Sequence, residues 1–210
     1  MLYNSVYKLK YSAGVARDMG EGPPGPAEFA QRAEEHLHEG SLTPAEYEAI
    51  KQSVGELSPI FTAECSYFVL GSYGRPEIHR LQLVKDRLNR RTGAYAFLMV
   101  DIRSEWENTY LKFRLIADYV DRIVGVSEHA HGGFLVEQGY FTAIESYFSK
   151  TYVLKREYKN LDPDDLETNV ETSDPYSGMQ TSIFEMLADA GRLCVWEQES
   201  DLRECVESLL

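Results

Sequence analysis

The sequence predicts an α/β fold in which a five-stranded, parallel, doubly wound sheet follows an N-terminal helical hairpin. From about Tyr67 onward, short apolar runs alternate with stretches of helical periodicity, and this alternation is typical of a parallel sheet. The chain has 210 residues, of which 43% are hydrophobic, so there is room for one domain with a substantial core. We place the helical extension at residues 1–63 and the α/β domain at residues 64–210.

Five short apolar runs are the predicted strands, and we expect them to be buried in the sheet. Five such strands separated by helices fit most simply into the strand order 2-1-3-4-5, which is the flavodoxin-like arrangement. In chain order the runs are "YFVLGSYG" (67–74, a strand followed by a glycine turn), "AYAFLMVDI" (94–102), "RIVGVSEH" (122–129), "KTYVLKREY" (150–158) and "RLCVWEQ" (192–198).

Apolar residues at helical spacing predict a helix after each strand. The first covers residues 76–93 and ends at Gly93, and the helix before the last strand ends at Gly191. We treat the stretch from Gly133 to Phe148 as one helix. The buried faces are Ile78, Leu81, Val84 and Leu88 in the first helix; Trp106, Tyr110, Phe113, Ala117 and Val120 in the second; Ile183 and Leu187 in the fourth; and Leu202, Val206 and Leu209 in the last.

The first sixty residues predict a helical hairpin. "EGPPGP" (21–26) is a turn, Pro26 can start a helix that ends near Gly40, and "TPAE" (43–46) is a capping box for a second helix. Tyr47, Ile50 and Val54 form the buried face of that second helix. The hairpin could be a lid, an oligomerisation element or simply part of the packing. The opening "MLYNSVYKLKYSAG" could add an edge strand or stay loose.

The charge balance is strongly acidic. The 34 acidic and 21 basic residues give a net charge of −13, and Arg outnumbers Lys by 13 to 8. This charge argues against binding to a nucleic-acid backbone, because no basic cluster is present to displace counterions. An acidic, Lys-poor composition is typical of proteins from salt-loving organisms, where salt screens the self-repulsion. An ordinary acidic bacterial protein is the alternative.

No run approaches the roughly eighteen apolar residues of a membrane helix, and the N-terminus lacks the apolar centre of a signal peptide. We therefore expect a soluble, cytoplasmic protein without membrane contact.

Cys65, Cys194 and Cys205 are odd in number and do not have metal-ligand spacing, so we expect reduced thiols and no zinc site. "DPDDLETNVE" lacks the EF-hand pattern, and "EHAHGG" lacks a third ligand, so both are predicted to be solvated loops. No metal and no cofactor is expected.

Polar residues at the carboxyl ends of the strands are the candidate ligand-binding residues, because open α/β sheets bind ligands there. A phosphate or ribose could bind at "GSYGR", although a tight strand-to-helix turn is the alternative. Asp101 and Arg103 could instead form an ion pair or a helix cap. His129 could line a pocket. The candidates are Gly71, Ser72, Tyr73, Gly74 and Arg75 after strand one; Asp101, Ile102 and Arg103 after strand two; and Ser127, Glu128 and His129 after strand three.

Glu137 is the most informative single residue. Phe141, Ile144 and Phe148 follow it at i+4, i+7 and i+11, which places the carboxylate on the apolar stripe of its helix. It could be a paired structural charge, or it could point into a cleft with a pKa suited to catalysis. Periodicity alone does not separate these two interpretations.

The order of these segments resembles the nucleoside 2-deoxyribosyltransferase-like group and its relatives, the Toll/interleukin receptor (TIR) domains. The likeness covers about residues 67–205. In the transferases the third strand is followed by Gly-x-x-x-Glu-x-Gly-Tyr, and here Gly133, Glu137, Gly139 and Tyr140 stand at those positions. Ser127 with Glu137 is similar to the serine and glutamate of TIR domains.

The resemblance implies chemistry at an N-glycosidic bond. It implies that Glu137 is the nucleophile, or the electrostatic support, for the anomeric carbon of a nucleoside, nucleotide or NAD. Ser72, Tyr73 and Arg75 would then contact the sugar or phosphate, and Asp101 would hold ribose hydroxyls. A carboxylate suits this task because its charge stabilises an oxocarbenium-like transition state.

The sequence also departs from the family pattern. Glu128 and His129 stand where the transferases usually carry an Asp, and Phe141 replaces a small residue. Two further hypotheses therefore stay open: a non-catalytic nucleotide-sensing or assembly module of the same fold, and a structural partner protein that dimerises through the hairpin. We expect a homo-oligomer.

Overall fold

A computed structural model describes residues 25–38, 43–103, 108–129, 133–158 and 176–209. All neighbouring strands are parallel and follow the order β2-β1-β3-β4-β5, so the predicted fold class is confirmed. The predicted N-terminal segment and the acidic loop lie outside the described residues. The strands are β1 (Cys65–Gly71), β2 (Ala94–Leu98), β3 (Arg122–Ser127), β4 (Thr151–Arg156) and β5 (Leu193–Trp196).

Helices cover both faces of the sheet. One face packs against α3 and α8 through a cluster that includes Val69, Leu81, Val124 and Val206. The other face packs against the remaining longer helices, and its largest cluster includes Phe68. The helices are α1 (Pro26–His38), α2 (Pro44–Thr62), α3 (Arg75–Leu88), α4 (Thr109–Tyr119), α5 (Gly133–Ala143), the short α6 (Glu145–Phe148), α7 (Gly178–Asp189) and α8 (Glu199–Leu209).

The N-terminal hairpin is built into the core of the sheet domain. Phe29 of α1 and Leu57 of α2 are fully buried in the same cluster as Phe68 of β1. Phe29 also packs on Tyr119 of α4, with 5.1 Å between ring centroids. The α1–α2 pair therefore completes the core on this face of the sheet.

The predicted capping box at the start of α2 is confirmed. The backbone N–H of Glu46 donates to Thr43 Oγ1 at 3.3 Å, and the Glu46 carboxylate accepts from the backbone N–H of Thr43 at 2.8 Å. This reciprocal pairing satisfies two backbone donors that the helix itself leaves open.

Replacing Thr43 by Ala removes one of these hydrogen bonds. We expect the free energy of unfolding to fall by about 1 kcal/mol, because that is the usual cost of losing an N-cap side chain. Chemical denaturation of Thr43→Ala and of Thr62→Ala, at the other end of α2, provides the comparison. Equal stability of Thr43→Ala and the parent chain would contradict the prediction.

Three predicted element boundaries are wrong. The second strand ends at Leu98 and continues as a 3-10 helix, Met99–Asp101, because the Asp101 carboxylate accepts the Leu98 backbone N–H at 2.8 Å. The stretch 133–148 is broken at Ile144, whose extended backbone (φ −115°, ψ 115°) separates α5 from α6. Helix α3 ends at Leu88, and Gly93 (φ 73°) lies in the turn that leads to β2.

Two further expectations about side chains are corrected. Tyr110 is 54% exposed and does not belong to the buried face of α4. Phe113 and Ala117 do, Val120 is buried just after the helix ends, and Trp106 lies outside the described residues. Cys194 and Cys205 form a disulfide and are not reduced thiols. Because α8 folds back along β5, their Cα atoms are 5.7 Å apart although 11 positions separate them in sequence.

In the described part of the chain, no helix is long and apolar enough to cross a membrane.

Candidate functional site

The carboxyl edge of the sheet brings together the ends of β1 and β3 and the start of α5. Helix α5 packs against both strands. Its residue Phe134 lies over Gly125 of β3 so closely that a Cβ atom on Gly125 would be 2.2 Å from the ring. Gly125 therefore allows α5 to approach the strands, and the next turn of the helix carries Glu137.

Glu137 lies in a desolvated position on the inner side of α5. Phe141, one turn further on, is 1% exposed and belongs to the core. Burial raises the pKa of the Glu137 carboxyl to about 7. In the described part of the chain, no Lys, Arg or His side chain forms an ion pair with it. The inward direction predicted from periodicity is confirmed, and the interpretation as a paired structural charge is not supported there.

Tyr73, in the loop between β1 and α3, lies near this carboxylate. Desolvation is the main cause that raises the pKa of Tyr73 to about 12, and the charge of Glu137 is the next cause. The residue is 43% exposed, and the backbone of Met99 interacts with its hydroxyl and lowers the pKa in part. The hydroxyl therefore stays protonated at neutral pH and can donate a hydrogen bond.

Asp101 is occupied by local structure. Its carboxylate accepts the Leu98 N–H at 2.8 Å and the Lys85 ammonium at 3.0 Å. The interpretation as an ion pair and cap is therefore the one that these contacts support. Ile102 is buried beside it, and the Arg103 N–H donates to Glu56 at 3.0 Å.

Ser127, the last residue of β3, is 1% exposed. Its side chain lies on the same face of the sheet as Gly125, and hence on the α5 face, because alternate residues of a strand share a face. Its backbone carbonyl accepts the Tyr176 hydroxyl at 2.7 Å. Its own hydroxyl lies beside the Tyr176 hydroxyl but meets the geometry of a hydrogen bond with none of the described residues. Gly133 is the first residue of α5.

Glu128 and His129 lie on the opposite side of this edge from Glu137. The Glu128 carboxylate is 3% exposed and pairs with Arg80 of α3 at 2.7 Å and with Arg156 of β4 at 3.2 Å. The His129 imidazole Nε2 is 3.6 Å from the Glu77 carboxylate. The transferases carry an Asp in the loop before the signature that contains their Glu. Glu128 stands in that loop here, but its carboxylate points away from Glu137 and pairs with Arg80 and Arg156.

The remaining predicted residues form the turn between β1 and α3. A Cβ atom on Gly71 would lie 2.6 Å from the Leu81 side chain and 2.9 Å from the Val126 carbonyl oxygen, so packing alone requires glycine there. A Cβ atom on Gly74 would lie 2.2 Å from the Glu77 carboxylate. Ser72 is half-buried, and Arg75 is the exposed first residue of α3.

Sequence reasoning missed the end of β4 and two buried amides. Lys155 of β4 is the register partner of Ser127. Gln138, which follows Glu137, is 2% exposed, and neither polar atom of its amide has a partner in the part that the structure describes. Gln180 of α7 is 1% exposed, and its Nε2 is likewise unpartnered. Lys155 could have been found by extending the strand-end search to strand four; the two glutamines carry no such sequence pattern.

The described residues contain no group of three or more His, Cys, Asp or Glu side chains that could hold a metal ion. The polar side chains that the described residues place at this edge are carboxylates, hydroxyls, amides and an ammonium group. Such a set can bind a polar organic ligand and can act on it through the carboxylate.

Comparison with known protein families gives a match to a family model. Residues 20–174 match the model of a family of unknown function, DUF8170, which is about three quarters of the chain. The chain belongs to this family. No curated protein matches the sequence. The region matched to DUF8170 begins before α1 and runs past β4, so it includes both the helical hairpin and Glu137.

The buried position of Glu137 predicts a pH-dependent stability. The pKa of Glu137 is about 7 in the folded chain and about 4.5 without burial, so the folded state holds the proton more tightly. As the pH rises from about 4.5 to about 7, the contribution of Glu137 to the free energy of unfolding falls. We expect Glu137→Gln to be more stable than the parent chain by roughly 3 kcal/mol at pH 8 and to match it near pH 4.

Denaturant unfolding of both chains at the two pH values tests this stability difference. The comparison should be made at one fixed salt concentration, because the net charge of −13 makes overall stability depend on screening. A stability difference that is the same at pH 4 and pH 8 would show that Glu137 is not desolvated.

Proposed function

We propose that this protein cleaves or transfers at the N-glycosidic bond of a nucleoside, nucleotide or NAD, with Glu137 as the nucleophile. One observation carries the proposal: the Glu137 carboxylate is desolvated, has no cationic partner in the described region, and lies at the ligand-binding edge of a parallel sheet. An uncompensated carboxylate costs stability, and such a cost is typical of catalytic sites. The Gly133–Glu137–Gly139–Tyr140 motif supports the same chemistry.

In the proposed step, the bond between C1′ and the base nitrogen breaks and its electron pair leaves with the base. A carboxylate oxygen of Glu137 forms a bond to C1′, and water or a second base then displaces the carboxylate. The low solvent exposure around Glu137 strengthens its attraction for the positive charge that develops on the sugar. The Tyr73 hydroxyl would donate a hydrogen bond to a sugar oxygen.

The reaction should require ionised Glu137. Because the pKa of this carboxyl is about 7, kcat/KM should rise about tenfold per pH unit up to about pH 7 and level off above it. Initial rates between pH 5 and pH 9, at constant ionic strength, test this dependence. A flat profile across that range would exclude an essential carboxylate with a raised pKa.

The direct test incubates the chain with NAD, nucleotides and nucleosides, at low and at molar salt, and measures released base by chromatography. Both salt conditions are needed because a chain with a net charge of −13 could require salt to fold. Release of free base from at least one of these compounds supports the proposal. Unchanged compounds after long incubation at both salt concentrations would reject it.

A non-catalytic nucleotide-sensing module is the second candidate. It is favoured by the contacts of Asp101 and Glu128, since both carboxylates already hold cationic side chains. This candidate predicts that a nucleotide raises the melting temperature of the protein without any product being formed. Thermal melting of the same incubation samples separates the two candidates.

A further inference from the structure

A second polar cluster lies on the α5 face of the sheet, where β3 and β4 end. Ser127 and Lys155 are partners in the parallel register, so their side chains leave the same face from strands about 4.8 Å apart. Tyr176, which precedes α7, donates its hydroxyl to the Ser127 carbonyl at 2.7 Å. The start of α7 is therefore attached to the end of β3, and we refer to Ser127, Lys155 and Gln180 as the strand-end cluster.

Lys155 has no carboxylate partner among the described residues. Its ammonium group lies over two aromatic rings, 5.1 Å from the centroid of Tyr176 and 5.3 Å from that of Phe184. No carboxylate in the described part of the chain forms an ion pair with it, although the protein has 34 acidic residues. The rings fix the position of the ammonium group, and an ammonium held in this way can still bind an anion.

Two buried hydrogen-bond donors belong to the same cluster. Neither the Ser127 hydroxyl nor the Gln180 side-chain amide nitrogen meets the geometry of a hydrogen bond with a described residue, although the Ser127 hydroxyl lies beside that of Tyr176, and each residue is 1% exposed. The Gln180 carbonyl oxygen accepts from the backbone N–H of Ser177 at 3.1 Å in the capping box of α7. The side-chain NH₂ group of Gln180 is therefore the part of the amide that has no partner among the described residues. Buried donors are normally satisfied, so this pair is unusual.

The start of α7 adds a favourable field. The helix has 12 residues and begins at Gly178, beside the cluster. A helix N-terminus attracts negative charge through its aligned peptide dipoles. The ammonium group, the two neutral donors and the helix end all favour one kind of ligand atom, the oxygen of an anion.

We infer that the strand-end cluster binds a phosphate group. This inference rests on the proposed function, and it makes the substrate of Glu137 a nucleotide or dinucleotide and not a nucleoside. We choose phosphate because its several oxygens offer acceptors for the Lys155 ammonium, the Ser127 hydroxyl and the Gln180 amide. The Ser127 side chain points from β3 toward α5, and the Glu137 side chain points inward from α5. A ribose bound at Glu137 would then direct its phosphate toward the end of β4.

The test measures equilibrium binding by calorimetry in the full chain carrying Glu137→Gln, so that no turnover occurs. The probes are 5′-AMP, adenosine and inorganic phosphate, at one salt concentration in which the chain is folded. We expect 5′-AMP to bind at least tenfold more tightly than adenosine. We expect Lys155→Met to abolish that preference and to leave adenosine affinity unchanged.

The control variant is Lys51→Met. The Lys51 ammonium group also lies over an aromatic ring, 5.3 Å from the centroid of Tyr47, but Lys51 belongs to α2 and not to a strand end. It should keep the full preference for 5′-AMP. Lys155→Gln is measured in parallel, and melting curves establish that each variant is folded. Inorganic phosphate should compete with 5′-AMP if the subsite binds phosphate alone; competition that survives Lys155→Met would place the phosphate elsewhere.

Equal affinities for 5′-AMP and adenosine would overturn the inference, as would a preference that both folded Lys155 variants retain or a failure of 5′-AMP to bind at millimolar concentration. These results are independent of catalysis, because the Glu137→Gln background cannot report on base release. Failure of the proposed function would instead appear as unchanged compounds with the parent chain, while the Lys155-dependent preference persisted.

Discussion

Glu137→Gln is expected to abolish release of base while the fold stays intact. The substitution keeps the size of the side chain but removes the negative charge and the nucleophilic oxygen. Loss of a single group of this kind typically lowers the rate by roughly 10²- to 10³-fold, and loss of a nucleophile by more. The measurement is the initial rate of base release, on a protein whose circular dichroism spectrum matches that of the parent chain.

The matched control for this variant is Glu145→Gln. Glu145 lies at the start of α6, is exposed, and belongs to the same stretch of chain. Its loss of charge should leave the rate within about twofold of the parent value, because exposed charges are screened by solvent. If Glu137→Gln retained parent activity, the assignment of Glu137 as nucleophile would be wrong.

Glu128→Ala is expected to cause the largest loss of stability. The Glu128 carboxylate is buried and receives Arg80 through two bonds, at 2.9 and 2.7 Å, and Arg156 at 3.2 Å. Its removal leaves two guanidinium groups together with no counter-charge between them. Breaking a buried ion pair in this way costs about 3–5 kcal/mol.

The comparison for Glu128 is an exposed ion pair. Glu48 lies 3.5 Å from Lys51 on the surface of α2, and Glu48→Ala should change stability by at most about 1 kcal/mol. Both variants are measured by denaturant unfolding at the same salt concentration. Similar losses in the two variants would show that the Arg80–Glu128–Arg156 network contributes no more than a surface pair.

The fold could be predicted because apolar runs and helical periodicity specify buried strands and their flanking helices directly. The boundaries depended on contacts that periodicity does not contain. Asp101 ends β2 early by accepting a backbone N–H, and the break at Ile144 has no Gly or Pro to mark it. The Cys194–Cys205 disulfide depends on how α8 folds back on β5, which spacing in sequence does not reveal.

The position of the candidate site in the fold could be predicted in part. Periodicity predicted that Glu137 faces inward, which its burial bears out although α5 ends before Ile144, and the strand order predicted that α5 starts at the carboxyl edge of the sheet. The neighbouring residues Ser127 and Glu128 lie on opposite faces of the sheet, a consequence of strand alternation. The placement of Lys155 beside Ser127 required the register between β3 and β4, which follows only from the folded chain.

The most direct test of the account compares the parent chain with Glu137→Gln in molar salt, each incubated with NAD, 5′-AMP and adenosine. Released base is quantified by chromatography at several times at pH 8, where the Glu137 carboxyl, with its pKa of about 7, is ionised. Base should accumulate with the parent chain and stay at background with Glu137→Gln. Equal accumulation with both chains, or none with either, would contradict the proposal that Glu137 is the nucleophile.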